Sequence, residues 1–141
     1  MLDFTLDEEQ RMLTDAIHRY AEERIRKTFR DADEEGKVPP EIVQAGWDIG
    51  VLPAAIPEQY GGFGDQYSAV TGALAAEELA WGDLSIALNI LAPGAVAIPV
   101  LLAGTDAQKE TYLPLFCDVS LPHLTAALVE PNIQFDPRGL Q

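Results

Sequence analysis

Apolar residues recur at helical spacing through most of the chain, and polar runs carrying proline or glycine divide them into five segments. Met12, Leu13, Ala16, Ile17, Tyr20, Ala21 and Ile25 fall on one helical stripe. Ahead of them, Thr5-Leu6-Asp7-Glu8 fits a capping box with Thr5 as N-cap and Glu8 reaching back. Acids fill the first turn and Arg24, Arg26 and Lys27 the last, as the helix dipole favours. The pattern predicts a helix over 7–28, about 30 Å long at 1.5 Å per residue. Residues 31–38, DADEEGKV, are polar and contain Gly36, and read as a loop. Pro39 and Pro40 open a second helix, where proline is tolerated in the first turn, and Gly50 stops it.

A third helix is predicted over 65–80, with Ala69, Val70, Ala73, Leu74 and Leu79 inward, and Trp81-Gly82-Asp83 breaks it. Asp83 can cap a fourth helix over 84–103 that is apolar nearly all round, the signature of a helix buried on all sides. Gly104 ends it, and Thr105 or Asp106 caps a fifth over 106–118. The tail differs. Residues 124–129, LTAALV, form a short apolar run between Pro122 and Pro131 and read as a strand. A lone strand leaves its edges unpaired, so the run is expected to begin something larger. The expected architecture is all-α, an up-and-down helical domain over 1–122, with the start of a β-domain over 123–141.

At 141 residues the chain is long enough for one domain with a real core. Its formal net charge of −14 would repel nucleic-acid phosphates, which excludes that class of partner from the reading. A single cysteine, Cys117, permits no internal disulfide and fits a reducing, cytoplasmic setting. MLDFTLDEEQ has neither a basic nor an apolar segment of the kind a secretory leader needs. The weakly polar stretch 84–104 is interrupted by Pro93, Gly94 and Pro99, and reads as a buried helix rather than a membrane span.

The chemistry turns on residues 57–64, PEQYGGFG. A phosphate loop needs its glycines between a strand and a helix N-terminus, where amides converge on the anion. Here they follow a proline-broken coil, without a Walker Lys-Ser/Thr and without dinucleotide-fingerprint spacing, so turn geometry at positive φ is the reading they support. Glu77 and Glu78 are helix neighbours about 100° apart and do not share one site. His18 and His123 have no second ligand at metal spacing, and no metal site is read. Cys117 reads as packing, as does Tyr60, and Lys109 as an exposed helix lysine rather than a phosphate ligand. Ala87, Leu88, Leu91, Ala92 and Ala95 form one apolar face of the fourth helix, which suits core packing or the wall of an apolar slot.

Taken in order, the motifs carry more. Phe4-x-Leu6-x-x-Glu9-Gln10 is followed by Pro57-Glu58-x-Tyr60-Gly61-Gly62-x-Gly64 and Glu77-Glu78-Leu79-Ala80. Gly104-Thr105-x-x-Gln108-Lys109-x-x-Tyr112-Leu113-Pro114 and Glu130-Pro131 complete the series. It resembles the N-terminal helical domain of the acyl-CoA dehydrogenase family over residues 4–131. The resemblance implies an FAD-dependent oxidoreductase of fatty acid metabolism that oxidises an acyl-CoA between Cα and Cβ. The base that takes the α-proton and most of the flavin site would lie in further domains, so no catalytic residue is expected here and the chain alone is expected to be inactive. An electron-transfer flavoprotein would be the redox partner, and the assembly a homo-oligomer (dimer or tetramer) or a hetero-oligomer.

The same resemblance implies that the fourth helix lines the acyl pocket through Ala87, Leu88, Leu91, Ala92 and Ala95. It also implies that Ala126, Leu128, Val129 and Glu130 pass beside the flavin. Two departures stand out. Val129 occupies the place of a threonine whose hydroxyl bonds the ring, and 132–137, NIQFDP, replaces a Gly-Ser-Asp segment. An alternative therefore stays open: a non-catalytic helical subunit or binding module that pairs with a complete partner.

Overall fold

A computed structural model describes residues 5–65, 67–122, 124 and 126. Within them the chain is helical, with no strand and one isolated parallel bridge, Pro57 to Gly64. Its elements are α1 (Glu8–Tyr20), a π-helical stretch (Ala21–Ile25), α2 (Arg26–Glu35), α3 (Pro40–Trp47), α4 (Ala69–Gly82), α5 (Leu84–Leu91), α6 (Gly94–Ala103) and α7 (Asp106–Tyr112). Short 3-10 turns lie at Pro53–Ala55, Glu58–Tyr60 and Leu113–Phe116. The strand expected over 124–129 lies outside the described residues except for Leu124 and Ala126, neither in regular structure.

The first helix starts two residues later than its capping pattern suggested. Asp7, not Thr5, is the N-cap: its carboxylate accepts the Gln10 N–H at 2.7 Å, and the Gln10 side chain accepts the Asp7 N–H at 3.2 Å. The helical path then runs through the π stretch and α2 to Glu35, so the predicted loop at 31–38 is largely helix. The polar letters there mark a solvated face, on which Ala32 alone is buried. Gly36 provides the stop at φ 64°, and the Lys37 N–H closes back on the Ala32 carbonyl at 3.0 Å. The π stretch packs against the end of α4 at Gly82. A Cβ on Gly82 would lie 2.9 Å from the Ile25 side chain and 3.1 Å from the Ala21 Cβ, so the wide turn and the glycine together let the two helices touch.

Two apolar clusters hold the fold. Ile17, Ala21, Ile25, Ile42, Ala75, Leu79, Ile86, Ala87 and Ile90 bring α1, the π stretch, α3, α4 and α5 together. Trp47, Ile56, Ala97, Leu113 and Phe116 gather the end of α3, the glycine-loop region, α6 and the last 3-10 turn. No polar or charged residue is buried among the described residues. The predicted inward face of the third helix was misplaced. Ala75 and Leu79 are buried, whereas Ala69, Val70 and Ala73 are exposed, because a helix rich in small apolar residues all round does not advertise which stripe its neighbours will take.

The fourth predicted helix is two. Asp83 caps α5 as expected, accepting the Ile86 N–H at 2.9 Å. After Leu91, however, Ala92-Pro93 breaks the path and α6 leaves at 43°. Pro93 has no N–H to continue the ladder. Neither half is buried on all sides: Leu84, Leu88 and Leu102 are each about 60% exposed. No single helix among the described residues is long and apolar enough to cross a membrane. The fifth helix stops at Tyr112 and tightens into a 3-10 turn at Leu113-Pro114, which seats Leu113 and Phe116 in the second cluster. Thr105 is its N-cap, in a reciprocal box with Gln108.

Candidate functional site

The glycine loop and the broken helix pair meet across one open cavity of about 1260 Å³. Its floor and far wall are apolar: Trp47, Ile49, Val51 and Leu52 after α3, then Ile90, Leu91, Ala95, Ile98 and Pro99 from α5 and α6. Met12 and Leu13 of α1 and Phe63 of the glycine loop close it from the other side. The volume exceeds the range of about 300–1,000 Å³ usual for small-molecule clefts.

The loop's glycines explain how that wall is built. Gly61 alone has a positive φ, 92°. Gly62 and Gly64 serve another purpose than the turn geometry predicted for them: their Cα positions press against the carbonyls of Ile56 and Ala54, where a Cβ would collide. The Gly64 N–H donates to the Ile56 carbonyl at 3.0 Å and the Phe63 N–H to the Pro53 carbonyl at 3.2 Å, which folds 57–64 flat onto 53–56. Phe63 is thereby left 62% exposed at the cavity edge, over Gly50. Across the cavity, the Gln10 amide donates to the Thr71 hydroxyl at 3.2 Å and ties the start of α1 to the first turn of α4.

The five residues proposed as slot wall separate in space. Leu91 and Ala95 line the cavity; Ala87 is buried in the first cluster; Leu88 and Ala92 are exposed and outside the lining. Ala87, Leu88 and Leu91 all precede the Pro93 bend; successive positions of α5 point about 100° apart, so Ala87 meets the first cluster while Leu88 faces out. Pattern reading missed Phe63, Leu52, Ile98 and Pro99, which come from a loop, a turn and the far half of the helix pair. Of the residues proposed to touch flavin, Ala126 is exposed, and Leu128, Val129 and Glu130 lie outside the described residues. The chain leading to them is anchored. The Trp47 indole N–H donates to the Asp118 carbonyl at 3.1 Å, and the Gln44 side chain donates to the Val119 carbonyl at 2.8 Å and accepts the Leu121 N–H at 3.3 Å.

The remaining candidates behave as packing or surface. Cys117 is half-buried against the second cluster, and burial pushes its thiol pKa up, away from nucleophilic thiolate. Tyr60 packs on the same cluster. Glu77 is exposed, while Glu78 bonds His18 Nδ1 at 2.7 Å, and the His18 ring stacks on Trp81 with centroids 4.4 Å apart. Among the described residues no group of three His, Cys, Asp or Glu could hold a metal.

An all-helical unit with one open apolar cavity, walled by a PEQYGGFG loop and a kinked apolar helix pair, defines a class with known relatives. Residues 7–120 match the acyl-CoA dehydrogenase N-terminal domain, and the chain belongs to that family. It is 36% identical to the (2S)-methylsuccinyl-CoA dehydrogenase of Cereibacter sphaeroides, over 96% of this chain and 24% of that protein. To the short-chain specific acyl-CoA dehydrogenase of Megasphaera elsdenii it is 33% identical, over 99% of this chain and 37% of the relative. The solved structure of butyryl-CoA dehydrogenase from Megasphaera elsdenii superposes with a TM-score of 0.74 at 29% identity, covering 84% of this chain and 31% of that one. The chain thus spans between a quarter and just over a third of these relatives.

Proposed function

We propose that this chain is the helical N-terminal part of an FAD-dependent acyl-CoA dehydrogenase and that its cavity holds the acyl group of the thioester. The observation that carries the reading is the meeting of Leu91, Ala95, Ile98 and Phe63 around one large, open, apolar space. Such a space accepts a hydrocarbon chain through burial of about 25 cal/mol per Å² of apolar surface. With its open side covered in an assembly, its apolar walls would also keep water from the carbons that react. The oxidation forms a Cα=Cβ bond as one proton leaves Cα and one hydride equivalent leaves Cβ. FAD supplies the hydride acceptor in the family, and an electron-transfer flavoprotein would take the electrons onward. The described residues of this chain contribute binding and shape only: none of them offers a base at the cavity with the burial a tuned carboxylate needs.

The 141-residue chain is expected to be inactive by itself, and its assembly into a homo-oligomer or hetero-oligomer would bring the acyl cavity to the reacting groups. Reductive titration of the isolated chain with butyryl-CoA and octanoyl-CoA tests this. Stoichiometric bleaching of a bound flavin would refute the assignment of chemistry to other parts. The cavity assignment is tested separately, by saturable binding of an acyl thioester to the chain and its loss in the Ala95→Trp variant.

A further inference from the structure

Three aromatic side chains line the cavity, and they differ in cover. Trp47 is buried and Tyr67 partly covered, whereas Phe63 stands 62% exposed. Its place is nonetheless fixed at both ends. At the root, the Phe63 N–H donates to the Pro53 carbonyl at 3.2 Å and the Gly64 N–H to the Ile56 carbonyl at 3.0 Å. Gly62 and Gly64 lie too close to the carbonyls of Ile56 and Ala54 to carry a side chain, so the loop on either side of Phe63 is seated on backbone. At the tip, ring atom Cζ points at Gly50: a Cβ there would come within 2.9 Å of Cζ, against 3.5 and 4.0 Å for Cε1 and Cε2. Gly50 has φ 82°, where a side chain would be strained as well. The ring thus meets the turn after α3 end-on, held between that turn and the glycine loop, with its faces largely uncovered.

A space of about 1260 Å³ is far larger than a short acyl group, which can lie against Leu91, Ala95 and Ile98 without reaching the opposite side. A longer tail has more apolar surface than that wall covers, and the Phe63 ring is the exposed apolar surface across from it. Because the ring is in place before any tail arrives, little freedom is lost when a tail covers it. We propose that Phe63 determines the chain-length specificity of the acyl site: tails long enough to lie on its ring gain affinity from it, and short ones do not. This rests on the acyl-cavity reading of the proposed function and adds the residue that grades substrates by length. Covering roughly one face of the ring, about 60 Å² of apolar surface, corresponds to about tenfold in affinity.

The test is calorimetric titration of the 141-residue chain with S-butanoyl-pantetheine and S-decanoyl-pantetheine, for the unaltered sequence, Phe63→Leu and Phe63→Ala. Phe63→Ala is expected to weaken decanoyl binding about tenfold and butanoyl binding by less than about twofold. Phe63→Leu keeps part of the apolar surface and should fall between. Because the side chain is exposed, urea midpoints of both variants should stay close to that of the unaltered chain. A second readout needs no variant to bind: in the unaltered chain carrying isotope-labelled phenylalanine, the Phe63 ring signals should shift in the NMR spectrum on saturation with the decanoyl probe. Decanoyl affinity unchanged within about twofold in Phe63→Ala, equal losses for the two probes, or unmoved ring signals overturn the role of Phe63 while leaving the acyl cavity in place. Failure of the decanoyl probe to bind the unaltered chain overturns both.

Discussion

α5 and α6 arise from one apolar run, yet they do different work. α5 presses Ile86, Ala87 and Ile90 into the cluster shared with α1, α3 and α4. α6 buries Ala97 alone as a fully covered side chain, leans on the second cluster, and lends Ala95, Ile98 and Pro99 to the cavity. Apolar content is therefore no guide to burial here. What separates the halves is the Pro93 bend, which keeps one half among helices and sends the other past an open space.

The comparison can be broken experimentally, and the largest effect is expected in α5. Ile86→Ala should cost about 2–5 kcal/mol by urea unfolding, as deletion of a fully buried branched side chain does, whereas Leu102→Ala at the exposed edge of α6 should stay within about 0.5 kcal/mol. Equal losses at the two sites would mean that the halves do not differ. Asp83→Ala removes the cap of α5 and should cost about 1 kcal/mol, most of it restored by Asp83→Asn, whose side-chain oxygen can accept the same N–H.

A pH experiment sharpens the picture of the first cluster. Burial pushes the Tyr20 hydroxyl from 10.0 up to about 12, partly offset by the Arg24 charge. Its O–H donates to the Ile42 carbonyl, joining α1 to α3. The folded chain thus holds this proton between pH 10 and about 12, where the unfolded chain releases it. The contribution is complete below pH 10 and is lost as pH rises through that window. Urea midpoints taken from pH 9 to 12 should fall more steeply for the native sequence than for Tyr20→Phe, and parallel curves would contradict the burial. The smallest effect on stability belongs to the cavity: Ala95→Trp should move the unfolding free energy by no more than about 0.5 kcal/mol, since it fills open space rather than a packed site. The same variant should abolish binding of decanoyl-pantetheine. A variant that unfolds instead would show Ala95 to be core.

Much of the fold was legible because helix ends carry local chemistry. Asp83, Gly50 and Thr105 mark boundaries by hydrogen bonds and dihedrals that involve only near neighbours in sequence. The errors share a cause. The helix through 31–35 was hidden by its polarity, and the inward face of α4 and the continuity of 84–103 were misread because abundant apolar residues satisfy every stripe equally. Of the residues that line the cavity, helical spacing picked out Leu91 and Ala95 but could not separate them from Ala87, Leu88 and Ala92. Phe63 had no periodic signal at all, since it is carried by a loop whose shape depends on Gly62 and Gly64 meeting the carbonyls of Ile56 and Ala54.

By itself, the amino-acid sequence determined the helical class, most of the stops and caps, and the ordered motifs that mark the family. These depend on backbone donors, φ preferences and short-range spacing, all encoded within a few residues. Only the tertiary structure decided which apolar faces are covered and which stand open. Burial is a property of pairs of distant surfaces, and it took the Pro93 bend, the contact of Gly82 with Ile25 and the folding of 57–64 onto 53–56 to leave one apolar space edged by Asp7, Glu8, Glu9 and Asp65.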